Sequence, residues 1–104
     1  MRVHWTPEAR AQLVGIHDYI AQESSSVAKR VTQRIASRCE QIAALPRSGH
    51  KARDFNRDDI RELFSRPYRI IYRIKPEQID ILTVMHYRRL LPRDWRKLRT
   101  SQEK

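Results

Sequence analysis

Apolar residues between Pro7 and about Gln22 recur every three to four positions. Ala9, Leu13, Ile16 and Ile20 fall on one stripe, which predicts a helix with one buried face. Its start is written in Thr6-Pro7-Glu8. A threonine oxygen accepts a free amide of the first turn, proline fits there because its missing N–H is not needed, and Glu8 meets the positive end of the dipole. Gly15 inside this helix costs about 1 kcal/mol relative to alanine, too little to end it. Before it, Arg2–Trp5 reads as a short strand with Val3 and Trp5 on one side. Glu23-Ser24-Ser25-Ser26 is a break in which a serine caps the next helix. That helix runs from about Val27 to Leu45, with Val27, Val31, Ile35, Cys39, Ile42 and Leu45 as its stripe. Lys29, Arg30, Gln33, Arg34 and Ser37 take the opposite face, and Pro46 and Gly49 stop it. A link this short predicts an antiparallel helix hairpin.

Residues 47–59 have no clear period and read as a loop. The period then changes to two. Ile60–Ser65 is a strand, Arg66-Pro67 a turn, and Tyr68–Lys75 a second strand. Tyr68, Ile70, Tyr72 and Ile74 share one face of it, and Arg69, Ile71, Arg73 and Lys75 the other. After Pro76-Glu77, Gln78–His86 is apolar on both sides, which suits a central strand. Leu91 to Leu98 leaves room for a short helix after Pro92, with Trp95 and Leu98 docking. The expected class is α+β, in the order β-α-α-β-β-β. An N-terminal strand and an antiparallel helix hairpin cover one face of a small antiparallel sheet. Residues 1–90 form a single domain and 91–104 a basic tail. The far face of the sheet is expected to stand open, lined by Arg69, Arg73 and Lys75.

Length and composition narrow the classes. A chain of 104 residues holds one core. No apolar run exceeds four residues (Ile42 to Leu45), so no membrane span is expected, and the N-terminus shows no secretion signal. A single cysteine, Cys39, excludes an intrachain disulfide and suits a reducing cytoplasm. Two glycines rule out glycine-rich phosphate loops and dinucleotide fingerprints. His4, His17 and His50 lack ligand spacing with one another or with Cys39, so no metal and no cofactor are expected. The net charge is +10, and the last 17 residues, with seven basic and two acidic groups, carry half of it. Such a field favours an acidic partner or a phosphate backbone without choosing between them.

Several residue groups, in order, carry a resemblance. They are Trp5-Thr6-Pro7-Glu8-Ala9, then Ile16-x-x-Tyr19-Ile20-Ala21, then Leu45-Pro46-x-x-Gly49, then Arg61-Glu62-Leu63. Pro67-Tyr68-Arg69-Ile70-Ile71-Tyr72-Arg73 and Ile81-Leu82-x-Val84-x-His86-x-Arg88-Arg89 complete the series. Over about residues 3–90 the chain resembles the RelE/ParE superfamily of bacterial toxins from type II toxin–antitoxin pairs, on the ParE side. The resemblance implies the same layered fold and neutralisation by a cognate antitoxin, in a heterotetramer or larger assembly. It also implies a choice of target: ParE-like members inhibit DNA gyrase by binding, and RelE-like members are ribosome-dependent mRNA endonucleases.

Chemistry frames that choice. Cleavage by the RNA 2′-hydroxyl needs a base, a cation for the phosphorane charge and an acid for the leaving oxygen. Arg69 stands where the resemblance places a phosphate-stabilising arginine, Arg61 adds a second cation, and His86-Tyr87 offer acid and base. Tyr87 departs from the usual ParE-like pattern, in which a small residue follows the histidine. Asp54, Asp58 and Asp59 of the loop match no nuclease motif. The expectation is therefore a gyrase-binding toxin without catalysis, contacting its target or antitoxin through Arg69, Arg73, His86, Arg88 and Arg89. The alternative is the endonuclease, with Arg61, Arg69, His86 and Tyr87. A plain nucleic-acid-binding module is the third reading; Arg30, Arg34 and Arg38 line one side of the second helix, without a known DNA-binding motif around them.

Overall fold

The structure, a computed structural model, describes residues 1–88. Strand β1 (Arg2–Trp5) is followed by helices α1 (Pro7–Ala21) and α2 (Ser25–Ala44) and a 3-10 turn, Pro46–Ser48. Strands β2 (His50–Lys51), β3 (Ile60–Ser65), β4 (Tyr68–Ile74) and β5 (Gln78–His86) follow. They form one sheet in the order β1-β5-β4-β3-β2. The α+β class and the order of the main elements are as expected. The expected C-terminal helix, the tail and Arg89 lie outside the described residues.

Two features of the sheet depart from expectation. It is mixed, because β1 runs parallel to β5, from Arg2 opposite Gln78 to Trp5 opposite Ile81. No tight turn joins these strands, so no local signal sets their direction. The two-residue β2 adds to the far edge, His50 opposite Glu62 and Lys51 opposite Arg61. It is too short to show a period.

The main core lies between the helices and the sheet. Ala9, Ile35, Cys39 and Ile42 pack on Leu63, Ile70, Tyr72, Ile79, Ile81 and Val84. Burial pushes the Cys39 thiol up to about 12, so it is an inert apolar filler. Thr6 fastens helix to sheet: its hydroxyl accepts from Ala9 N at 3.2 Å and donates to Ile81 O at 2.7 Å. Ser24 caps α2 by accepting from Val27 N. Leu45, expected on the buried stripe, is 67% exposed because α2 ends at Ala44 and the chain turns away.

The far face is covered, not open. Loop residues Ala52 and Phe55 pack on Ile60, Ile71 and Leu82 as a second buried cluster. A register shift supplies one of these. Ile71 pairs with Thr83 but Tyr72 pairs with Ile81, so Leu82 is the extra residue of a bulge and joins the loop side. The loop read as aperiodic is therefore a lid of core residues, which is why β5 is apolar on both sides.

Candidate functional site

Every expected cation of the far face has a carboxylate. Arg69, opposite Phe64 and Met85, is 2% exposed. Its guanidinium donates to Glu62 and, at 2.5 Å, to Asp54 from the loop. Burial alone would lower its pKa, but the two carboxylates outweigh that and raise it. Arg69 is thus a permanently charged bolt between sheet and loop. Arg73 donates to Asp59 at 3.1 Å, and Asp59 also holds Arg57 at 2.9 Å. The Arg57 hydrogen bond, with help from Arg73, keeps the Asp59 carboxyl below the usual carboxylate range against its partial burial. Lys75 lies 2.5 Å from the buried Asp80. Burial would raise the Asp80 carboxyl, but Lys75 and Gln78 overcome it and hold it down. The expected open guanidinium face is therefore corrected: the 52–59 loop and the acids around it neutralise it.

The four residues of the endonuclease reading do not converge. Directly opposed residues of a sheet share a face. Arg61 opposes Tyr72 and His86 opposes Tyr68, all on the helix side, while Arg69 opposes Phe64 on the loop side. Tyr72 and Tyr68 are four residues apart on β4, so Arg61 and His86 are separated by about 13 Å along the strands. Arg61 is moreover tied to Asp58 at 2.7 Å and to Gly49 O at 3.2 Å. Among the described residues no group of three or more His, Cys, Asp or Glu could hold a metal ion.

The half-buried His86 and the exposed Tyr87 and Arg88 gather at the end of β5. The His86 ring meets Tyr68 edge-on at 6.2 Å and stacks on Tyr87 at 5.1 Å. The Arg88 guanidinium sits 5.6 Å from the Tyr87 ring centre, and Arg88 N donates to His86 Nδ1 at 3.2 Å. That bond puts the proton of the neutral imidazole on Nε2.

Beside this aromatic end lies an open groove of about 340 Å³, lined by Gln12, Ile16, Tyr19, Tyr68, Val84 and His86 among others. It exists because β1 stops at Trp5. From Thr6 the chain turns into α1, so the β1 edge of β5 has no neighbouring strand beyond Ile81. Gln12 fills part of that gap: its side-chain oxygen accepts from Val84 N at 2.8 Å and from the Thr83 hydroxyl. Sequence reasoning passed over Gln12, and named the exposed Tyr19 only for the resemblance, without a role at the site. The signal for Gln12 was a polar residue three positions after Ala9 and four before Ile16, on the buried side of the stripe.

The family model described as the ParE toxin of the type II toxin–antitoxin system parDE matches residues 3–91. The chain belongs to the ParE toxin family. Among its relatives, the Sinorhizobium fredii protein Y4kP is 36% identical over 85 residues, covering 82% of this chain and 86% of that one. Toxin RelE2 of Caulobacter vibrioides is 33% identical over 90 residues, covering 86% of this chain and 98% of the other. A solved chain of the chromosomal ParDE toxin–antitoxin system from P. aeruginosa superposes with a TM-score of 0.69 at 26% identity. The match covers 83% of this chain and 95% of that one. In this ParE toxin the Pro46-x-x-Gly49 motif has a plain structural use. The Tyr72 hydroxyl donates to Pro46 O at 2.6 Å and accepts from Gly49 N at 3.0 Å, which knots the end of α2 to the sheet.

Proposed function

We propose that this ParE toxin arrests growth by binding DNA gyrase in the cytoplasm, without catalysis of its own, and that a cognate antitoxin neutralises it. The observation that carries the reading is the scattering of the candidate catalytic groups. Arg69 is bolted beneath the loop, while Arg61 and His86 lie far apart on the other face. A phosphorane stabilised by those residues has no common place to sit. The grouping of His86, Tyr87 and Arg88 beside the groove along α1 supports a binding role for the end of β5. His86 and Arg88 are assigned there as direct contacts with target or antitoxin, and Arg89, which lies outside the described residues, is proposed as a third contact. Arg69 and Arg73 act by holding the loop in place.

Purified chain added to gyrase and relaxed plasmid is expected to block supercoiling, and the block is expected to disappear when the antitoxin is added first. His86→Ala with Arg88→Ala is expected to weaken the block at least tenfold with an unchanged melting temperature. Unimpaired supercoiling, with mRNA cut at ribosomal A-sites in cells that express the chain, would overturn the reading. The similarity to a chain named RelE2 supports that second reading. It would then need Arg61, His86 and Tyr87 to be completed by groups from the ribosome.

A further inference from the structure

The outer face of α2 carries charges that the helix itself does not want. Lys29, Arg30 and Arg34 occupy its N-terminal half, just beyond the first turn. Arg30 and Arg34 are four residues apart, so they repel across one turn. No acid stands in the first turn and no base in the last. Among the described residues none of these three side chains has a carboxylate at ion-pair distance, in contrast to the cations of the far sheet face. Arg38, grouped with them by sequence, is different: it is turned to the sheet, donating to Phe64 O at 3.1 Å and to Gln41 at 3.0 Å.

Exposure decides what the face offers. Ser26, Lys29, Arg30, Gln33, Arg34 and Ser37 are all exposed, and none is apolar. A protein partner held tightly needs an aromatic or aliphatic anchor at the centre of the contact, and this face has none. Unpaired bases need aromatic side chains to stack on, which are absent here too. Cations flanked by hydroxyl and amide groups suit phosphate oxygens, the contacts that position a protein on a duplex without reading its bases. Lys29 to Ser37 spans about 12 Å of helix. That suffices for one backbone segment of B-form DNA, whereas recognition of A-form RNA by shape takes contacts over about 16 base pairs.

We infer that the outer face of α2 binds the phosphate backbone of double-stranded DNA, without sequence preference, through Lys29, Arg30 and Arg34. This surface is separate from the β5 groove, and the inference does not depend on gyrase being the target.

The test is binding of the full chain to a labelled 30-base-pair duplex of random sequence, followed by anisotropy across a salt titration. Lys29→Gln with Arg30→Gln and Arg34→Gln is expected to lower the slope of log affinity against log salt by about 2.7, at about 0.9 per phosphate contact. Between 50 and 200 mM salt the unmodified chain is then expected to lose about 40-fold more affinity than the variant. The variant removes a repulsive pair, so its melting temperature should not fall. Arg30→Lys with Arg34→Lys keeps the charge and should keep the slope. A control of equal charge, Arg10→Gln with Arg53→Gln and Arg66→Gln, should change the slope by less than 1. An equal change in both triple variants would overturn the inference, as would an unchanged slope in the first. Tighter binding to duplex RNA of the same length, or equal displacement by poly-glutamate, would overturn the choice of DNA.

Discussion

Gly49 is required by what stands around it. A Cβ there would lie 2.6 Å from both Glu62 O and the Tyr72 hydroxyl oxygen, and backbone cannot give way as a flexible side chain can. Gly49→Ala is expected to lower stability by about 1–3 kcal/mol in urea unfolding. Tyr72→Phe keeps the ring but removes partners from Pro46 O and Gly49 N, and is expected to lose about 1–3 kcal/mol in the same measurement. Arg69→Met should be worse, about 3–5 kcal/mol, because it leaves Glu62 buried without its cation; adding Glu62→Gln should recover part of that loss. The face on which Arg69 sits was legible from alternation alone. Its cover was not, since Asp54 comes from a stretch without periodicity and nothing local announces that a loop will fold back over a sheet.

At the scale of elements, the capping signals were the most readable. Thr6-Pro7-Glu8 marked the first turn of α1, and Thr6 is its cap. The same side chain also holds Ile81 O, a contact 75 residues away that no window of sequence reveals. Thr6→Ala is expected to cost about 1–2 kcal/mol, more than an exposed cap, and to unfasten α1 from β5. Hydrogen exchange at Ala9 N should quicken well beyond the change at Val27 N, the equivalent donor on α2. Strands β3, β4 and β5 were legible because the period changed to two after Ile60, alternation fixed the faces of β4, and two-sided apolar character marked β5 as central. The parallel partner of β5 was hidden because pairing over such a separation leaves no local trace. Lys75 shows the same limit: alternation placed it correctly, but its partner Asp80 lies across a turn and is buried, as a lone Asp in an apolar strand rarely is.

Across the whole molecule, acids hold the cationic chain together. The Asp58, Asp59 and Asp80 carboxyls are all held below the usual range. Arg47 is the chief cause for Asp58 and Arg57 for Asp59, and Lys75 prevails over burial for Asp80. A carboxyl depressed in the folded state adds stability that is complete above its unfolded pKa of about 4 and lost as pH falls through the folded value. Urea midpoints should therefore stay level from pH 7 to about pH 5 and drop steeply below about pH 4. A midpoint that held steady down to pH 2.5 would contradict these ion pairs. The parallel pairing of β1 with β5 has a consequence for how the chain is made. Arg2–Trp5 leave the ribosome well before Gln78–Ile81, so their backbone hydrogen bonds wait for β5 before they can close. A translation product cut short before Gln78 should therefore be digested by proteases and harmless, so the poison comes into being only once β5 has emerged.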